Sequence, residues 1–164
     1  MSDDSAAGAR RAHEAAPVSM WILAILALMP FPVSAGIYGY GPPEAARQAV
    51  TVLLTWSAVV LSFLAGVRWG LESGRRAPRR GRLASALLFG VVAWGLLLAR
   101  WRLELAWIVT AYLAAFMLQW LSDHAVPDTA ARFPRLSTAV TVAACVSLAV
   151  ALDQALRSGA RFLP

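Results

Sequence analysis

The sequence predicts an all-α fold, a polytopic membrane helical bundle with five transmembrane helices. Hydrophobic residues make up 59% of the 164 positions and charged residues only 15%, and the mean hydropathy is +0.61. Soluble domains contain about 45–50% apolar and about 25% charged residues, so this composition excludes a soluble globular enzyme, a disordered chain and a disulfide scaffold. Five apolar stretches approach the roughly 20 residues that a membrane-spanning helix needs. They cover residues 18–38, 49–71, 83–99, 103–121 and 136–156.

The first stretch contains Pro30 and Pro32 in its second half and ends before Gly41-Pro42-Pro43, which predicts a helix stop. Its start allows a second interpretation, a cleavable signal peptide. In that case Arg10 and Arg11 would be the positive region, and the small residues at 33–35 would be the cleavage site.

The remaining stretches follow each other through short connectors. Residues 72–82 are rich in Arg, Gly and Pro, and residues 122–134 contain two prolines. Only residues 100–102 separate the third and fourth stretches, which predicts a tight antiparallel hairpin. We expect three regions in all: a disordered cytoplasmic tail at 1–16, a transmembrane domain at 17–157 and a short C-terminal tail at 158–164.

The arginines predict the orientation in the membrane. With five spans, ten arginines fall on the side of the N-terminus and five on the other side. Because cytoplasmic loops carry the excess of positive residues, we expect a cytoplasmic N-terminus and an external C-terminus.

The net charge of +6 also predicts partners. A pI near 11.0 in a soluble domain would suggest nucleic acid. Here the arginines lie between apolar stretches, so we expect anionic lipid headgroups as neighbours and no nucleic acid. The arginines expected to face the headgroups are Arg75, Arg76, Arg79 and Arg80.

Small residues recur every four positions in the second stretch, and this spacing allows another helix to approach closely. They are Ala58, Ser62, Gly66 and Gly70. We expect helix packing within the chain, with Gly66 against another helix backbone; a dimer interface or a cofactor groove is the alternative.

A polar site is predicted between the second and fourth helices. Arg68 lies in an apolar stretch, where arginine is costly and must reach the membrane surface or a carboxylate. Glu72 is a local candidate at i+4. The fourth helix offers another, because Tyr112, Gln119 and Asp123 share one face and end on the same membrane side as Arg68. We predict the pair Arg68–Asp123, with these four residues as a candidate polar site.

Catalytic and metal-binding patterns are weak. Only two histidines occur, His13 in the tail and His124 beside Asp123, so we expect no metal, no cofactor and no enzyme activity. Trp56 and Trp94 lie deep in their stretches and are expected to be packed. Asp153 and Arg157 are spaced for a local ion pair.

The segment Leu61-Ser62-Phe63-Leu64-Ala65-Gly66-Val67-Arg68-Trp69-Gly70 closely resembles a motif of the family called domain of unknown function 3429. That family includes bacterial inner-membrane proteins and the mitochondrial transmembrane protein 69 group. Further similar positions are Pro30-Phe31, Trp94, Asp123 and residues 134–138, within a resemblance that covers about residues 20–152. Ala65 replaces a glycine of the motif. The resemblance implies a multi-span inner-membrane protein that keeps its first helix, and it implies no activity.

Two functions are therefore considered. The first is a non-enzymatic accessory, assembly or interaction subunit that packs through the small-residue face against a membrane-protein partner or a second copy. The second is a small transporter or a lipid- or quinone-binding protein that uses the polar site. A membrane enzyme comes third.

Overall fold

The computed structural model describes residues 22, 25–124 and 133–157, and all of its regular elements in those ranges are helices. In chain order they are α1 (Pro30–Tyr40), α2 (Pro43–Ser73), α3 (Arg80–Ala99), α4 (Leu105–His124) and α5 (Phe133–Arg157). The tails predicted at 1–16 and 158–164 lie outside the described residues, as does the beginning of the first predicted span.

Four of these helices are long and apolar enough to cross a membrane, and a shorter apolar helix covers Ile25–Tyr40. The fold is thus the predicted helical membrane bundle. Pro30 occupies the first position of α1, where a missing N–H is tolerated, and the amides of Met29 and Val33 continue the helical hydrogen bonds on either side.

The predicted breaks after the first, second and third spans are present, whereas most of the connector predicted at 122–134 lies outside the described residues. Gly41 and Pro42 separate α1 from α2, and a Cβ at Gly41 would lie 2.5 Å from the carbonyl oxygen of Ile37. Five residues, 100–104, join α3 to α4 in a turn. The main difference from the prediction is the length of α2, which begins six residues before the apolar stretch because residues 43–48 favour a helix without being apolar.

The helices form a closed ring. Each packs against the next along the chain, α5 packs against α1, and α2 also contacts α4 across the ring. The centre contains Phe31 of α1 and Phe116 of α4 in an edge-to-face contact, with ring centroids 6.2 Å apart. This arrangement brings the C-terminal ends of α2 and α4 together at one end of the bundle, which we call the polar end: Arg68, Glu72, Gln119, Asp123 and the connector between α2 and α3.

Candidate functional site

The polar end contains the predicted pair of Arg68 and Asp123. The Arg68 Nε donates a 2.8 Å hydrogen bond to the Asp123 Oδ1, and the Nη2 donates to the same oxygen. Nη2 also donates to the backbone carbonyl of Gln119, at 2.8 Å. Only 11% of the Arg68 side chain and 10% of the Asp123 side chain are exposed. The contact predicted from the sequence is therefore confirmed, and it is a buried one.

Arg68 also contacts a third helix. Its guanidinium carbon lies 5.6 Å from the centre of the Phe89 ring of α3, a distance at which a cation is attracted to the face of an aromatic ring. The planar guanidinium has five donors and a stacking face, so one side chain of α2 can hold a carboxylate, a carbonyl and a ring together.

The local alternative, an ion pair of Arg68 with Glu72, is wrong. The Glu72 side chain is 4% exposed and faces the connector between α2 and α3. It accepts hydrogen bonds from the backbone N–H of Arg79 at 2.8 Å and from Nη1 of Arg82 at 3.1 Å, and Nε of Arg75 lies 3.4 Å away. Its partners follow it in the chain: Arg75 lies at the helical spacing i+3, whereas Arg79 and Arg82 lie too far along the chain to be identified from a one-turn spacing.

The predicted polar face of α4 is divided by the structure. Gln119 is 1% exposed, and both atoms of its side-chain amide are buried without a hydrogen-bond partner. Tyr112 does not contact Arg68. It lies two turns before Gln119 in α4, and its hydroxyl donates to the carbonyl of Ala93 in α3, at 2.9 Å. The polar site therefore consists of Arg68, Asp123 and Gln119, while Tyr112 joins α4 to α3.

The prediction that Gly66 packs against another helix of the same chain is wrong for the described residues. Ala58 is buried, but a Cβ built at Gly66 or Gly70 would meet nothing within 4 Å. The helix geometry explains the difference. Each step of four residues turns about 40° past a full circle, so three steps carry the small residues about 120° around α2, from the core at Ala58 to the outside at Gly70.

On the outside, α2 and α3 enclose an open apolar groove of about 540 Å³, which we call the α2–α3 groove. Ser62, Ala65 and Gly66 line it from α2, and Gly90 and Gly95 line it from α3. The aromatic side chains of Trp69 and Trp94 also line this groove.

The predictions for the two deep tryptophans, Trp56 and Trp94, have different outcomes. Trp94 was expected to be packed, but it is 62% exposed because it lies on the outer side of α3, along the groove. Trp56 is part-buried as expected, and its Nε1 donates to the carbonyl of Ala27, at 2.8 Å. The predicted local pair of Arg157 with Asp153 is also present, at 2.8 Å, on the surface.

Within the described part of the chain, no group of three or more His, Cys, Asp or Glu side chains could hold a metal ion. His124 instead stacks on Trp120 with ring centroids 4.3 Å apart, and the Nε1 of Trp120 donates to Thr138 of α5, at 3.1 Å. This histidine therefore packs at the junction of α4 and α5, with its Nδ1 3.0 Å from the carbonyl of Trp120.

The fold and the polar end define a multi-pass helical membrane protein. The family described as protein of unknown function (DUF3429) matches residues 16–152, and the chain belongs to this family. No curated protein and no solved structure matches the chain.

Proposed function

We propose that this protein is a non-enzymatic accessory, assembly or interaction subunit that binds a transmembrane helix of another membrane protein in the α2–α3 groove. The observation that carries the proposal is the groove itself, whose floor contains glycines from both helices. Because lipid chains are as apolar as side chains, helices associate in membranes where small residues allow close backbone contact. Gly66 and Gly90 leave such space open, with nothing within 4 Å of a Cβ at either position.

The exposure of α3 supports this use of the groove. Only 11% of the apolar window of α3 is buried within the chain, against 39–44% for the other three long helices. A partner helix would cover α3.

Photo-crosslinking in native membranes tests this proposal. A photoreactive residue at Leu87, which lines the groove, is compared with one at Leu118, which lies on α4 outside it. Both side chains are similarly exposed, at 60% and 58%. We expect a discrete adduct from position 87 only. Adding Gly66→Leu should fill the groove and abolish that adduct, whereas Gly36→Leu, at a helical glycine with equally open surroundings, should not.

The mass of the adduct identifies the partner. An adduct of twice the 17.6 kDa chain mass means that the groove joins two copies, and it would refute the proposed second protein. Equal adducts from positions 87 and 118, or an adduct that survives Gly66→Leu, would show that the groove faces lipid and would refute the interaction role altogether.

We also propose that the protein lies in the bacterial cytoplasmic membrane with its N-terminus in the cytoplasm. The distribution of ten and five arginines supports this orientation. It places the polar end of the bundle at the cytoplasmic surface.

The second candidate function, a small transporter or a lipid- or quinone-binding protein, is favoured by Gln119. A polar group buried without a partner is destabilising, yet the amide of Gln119 has none. A bound molecule with a carbonyl group, such as a quinone, would accept a hydrogen bond from this amide beside the Arg68–Asp123 pair.

Thermal unfolding of the purified chain distinguishes this candidate, with a short-chain benzoquinone as the probe. If the amide binds the carbonyl, the quinone should raise the Tm of the parent and of a Gln48→Leu control, but not that of Gln119→Leu. If the site binds nothing, Gln119→Leu should raise the Tm by removing an unpaired amide. No response of the parent to the quinone would refute a quinone site.

A further inference from the structure

The connector between α2 and α3 is organised around one buried carboxylate. Glu72 lies in the last turn of α2, where the negative end of the helix dipole disfavours an acidic side chain. Burial of a carboxylate adds a further penalty unless the charge is paired. The contacts of Glu72 with Arg75, Arg82 and the backbone of Arg79 offset both effects. Glu72 thus holds the connector against the end of α2.

The contacts of Glu72 leave three neighbouring arginines without an ion pair in the described residues. Five arginines between positions 75 and 82 surround one carboxylate, an excess of four positive charges. Arg75 and Arg82 contact Glu72. The guanidinium groups of Arg76, Arg79 and Arg80 are exposed and take part in no ion pair within the described residues. Nη2 of Arg82 is buried without an acceptor.

The start of α3 also lacks an acidic side chain of its own. Its N-cap residue is Arg79, which makes no side-chain capping bond, and its first turn contains no acidic residue. The N-terminus of a helix attracts anions through its free N–H groups and its dipole. A helix start without an acidic residue of its own and three guanidinium groups without ion pairs in the described residues therefore occur together at one end of a membrane-spanning helix.

We propose that this connector is a binding site for the phosphate group of an anionic phospholipid, with Arg76, Arg79 and Arg80 as the contacting side chains and Glu72 as the residue that positions them. The guanidinium fork matches phosphate oxygens in pairs. Trp69, 44% exposed and one turn before Glu72, is a residue type typical of the membrane–water boundary, where headgroups lie. The contacting arginines do not line the α2–α3 groove, and the site does not depend on the function proposed for that groove.

Glu72 provides the decisive experiment, because an organised site and simple attraction between charges predict opposite results. Glu72→Gln makes the chain more positive by one charge. Simple attraction would therefore strengthen the binding of phosphatidylglycerol, whereas loss of the organised connector should weaken it. The measurement is native mass spectrometry of the full-length protein, titrated with phosphatidylglycerol or phosphatidylcholine. Glu44→Gln is the matched control, since it makes the same charge change at an 83% exposed side chain on the opposite end of α2.

A second pair of variants keeps the proposal testable if Glu72→Gln does not fold. Arg79→Gln with Arg80→Gln removes two exposed side chains where the connector meets α3, and Arg100→Gln with Arg102→Gln removes two arginines between α3 and α4. Each arginine near an anionic surface contributes roughly fivefold in affinity, so the first double variant should lose about 25-fold for phosphatidylglycerol. The second should change little.

Three results would overturn the proposal. They are stronger binding by a folded Glu72→Gln variant, equal losses in the two double variants, and equal binding of phosphatidylcholine by the parent. Inorganic phosphate forms a separate arm of the titration. If millimolar phosphate displaces phosphatidylglycerol completely, the site recognises free phosphate and the assignment to a lipid is wrong.

Discussion

Removal of either partner of the Arg68–Asp123 pair should destabilise the bundle strongly. The two side chains are about nine-tenths buried, and the hydrogen bonds that the Arg68 guanidinium makes within the described residues cross from α2 to α4. Arg68→Gln leaves Asp123 as a desolvated carboxylate without its cation, and Asp123→Asn leaves the guanidinium without its anion. Removal of one member of a buried ion pair costs about 3–5 kcal/mol, so each single variant should lose an amount in this range.

A double-mutant cycle separates the pair from its surroundings. Because the second substitution removes a charge that is already unpaired, the double variant should be more stable than the sum of the single losses predicts, by about 1–3 kcal/mol. The free energy of unfolding is measured on the purified full-length chain in one detergent. Arg157 and Asp153 provide the control, since this pair is 74% and 55% exposed and should show a coupling below about 1 kcal/mol. Equal coupling in the two cycles would refute the argument that burial gives the Arg68–Asp123 pair its strength.

Three further predictions follow from the packing and from the arginine distribution. Gly66→Ala should not lower the Tm because its Cβ meets nothing and alanine favours a helix, whereas Gly41→Ala should lower it because its Cβ would lie 2.5 Å from the Ile37 carbonyl; equal effects would contradict the open groove. Tyr112→Phe should lose about 1 kcal/mol with the hydrogen bond to Ala93, and unchanged unfolding would show that this bond contributes nothing. A C-terminal alkaline phosphatase fusion should be active and a fluorescent-protein fusion dark, and the reverse would place the C-terminus in the cytoplasm.

The helices could be predicted because a membrane span has a length that composition reveals. The start of α3 differs from the predicted span by three residues and its end is at the predicted position, Ala99. The pair of Arg68 with Asp123 could also be predicted, because both charges fall near the ends of spans that must finish on the same side of a membrane. The depth of a residue in the bilayer follows from its position within a span. Because successive spans alternate in direction, the sequence alone shows which residues lie at a similar depth.

Rotation about each helix axis could not be predicted in the same way. The small residues of α2 rotate gradually around the helix axis, and their spacing does not show which of them faces a neighbouring helix. The prediction of packing is therefore correct for Ala58 and wrong for Gly66. Similarly, the role of Glu72 depends on the backbone N–H of Arg79 and the side chain of Arg75 in the connector, and on the side chain of Arg82 in the first turn of α3. Such a loop has no periodicity from which its path can be derived.

The contacts of α3 explain why polar side chains of other helices are concentrated on its inner side. Of its twenty residues, only Ala86 and Ala93 are buried, so α3 offers the other helices very little side-chain area for specific packing. In a membrane, burial of apolar area does not drive helices together, and hydrogen bonds and close packing must position them. The polar contacts are distributed accordingly: Glu72 holds the first turns through Arg82, Arg68 meets Phe89, and Tyr112 bonds to the carbonyl of Ala93. All three lie on the inner side of α3, and they hold it in place while its outer side, along the groove, stays uncovered.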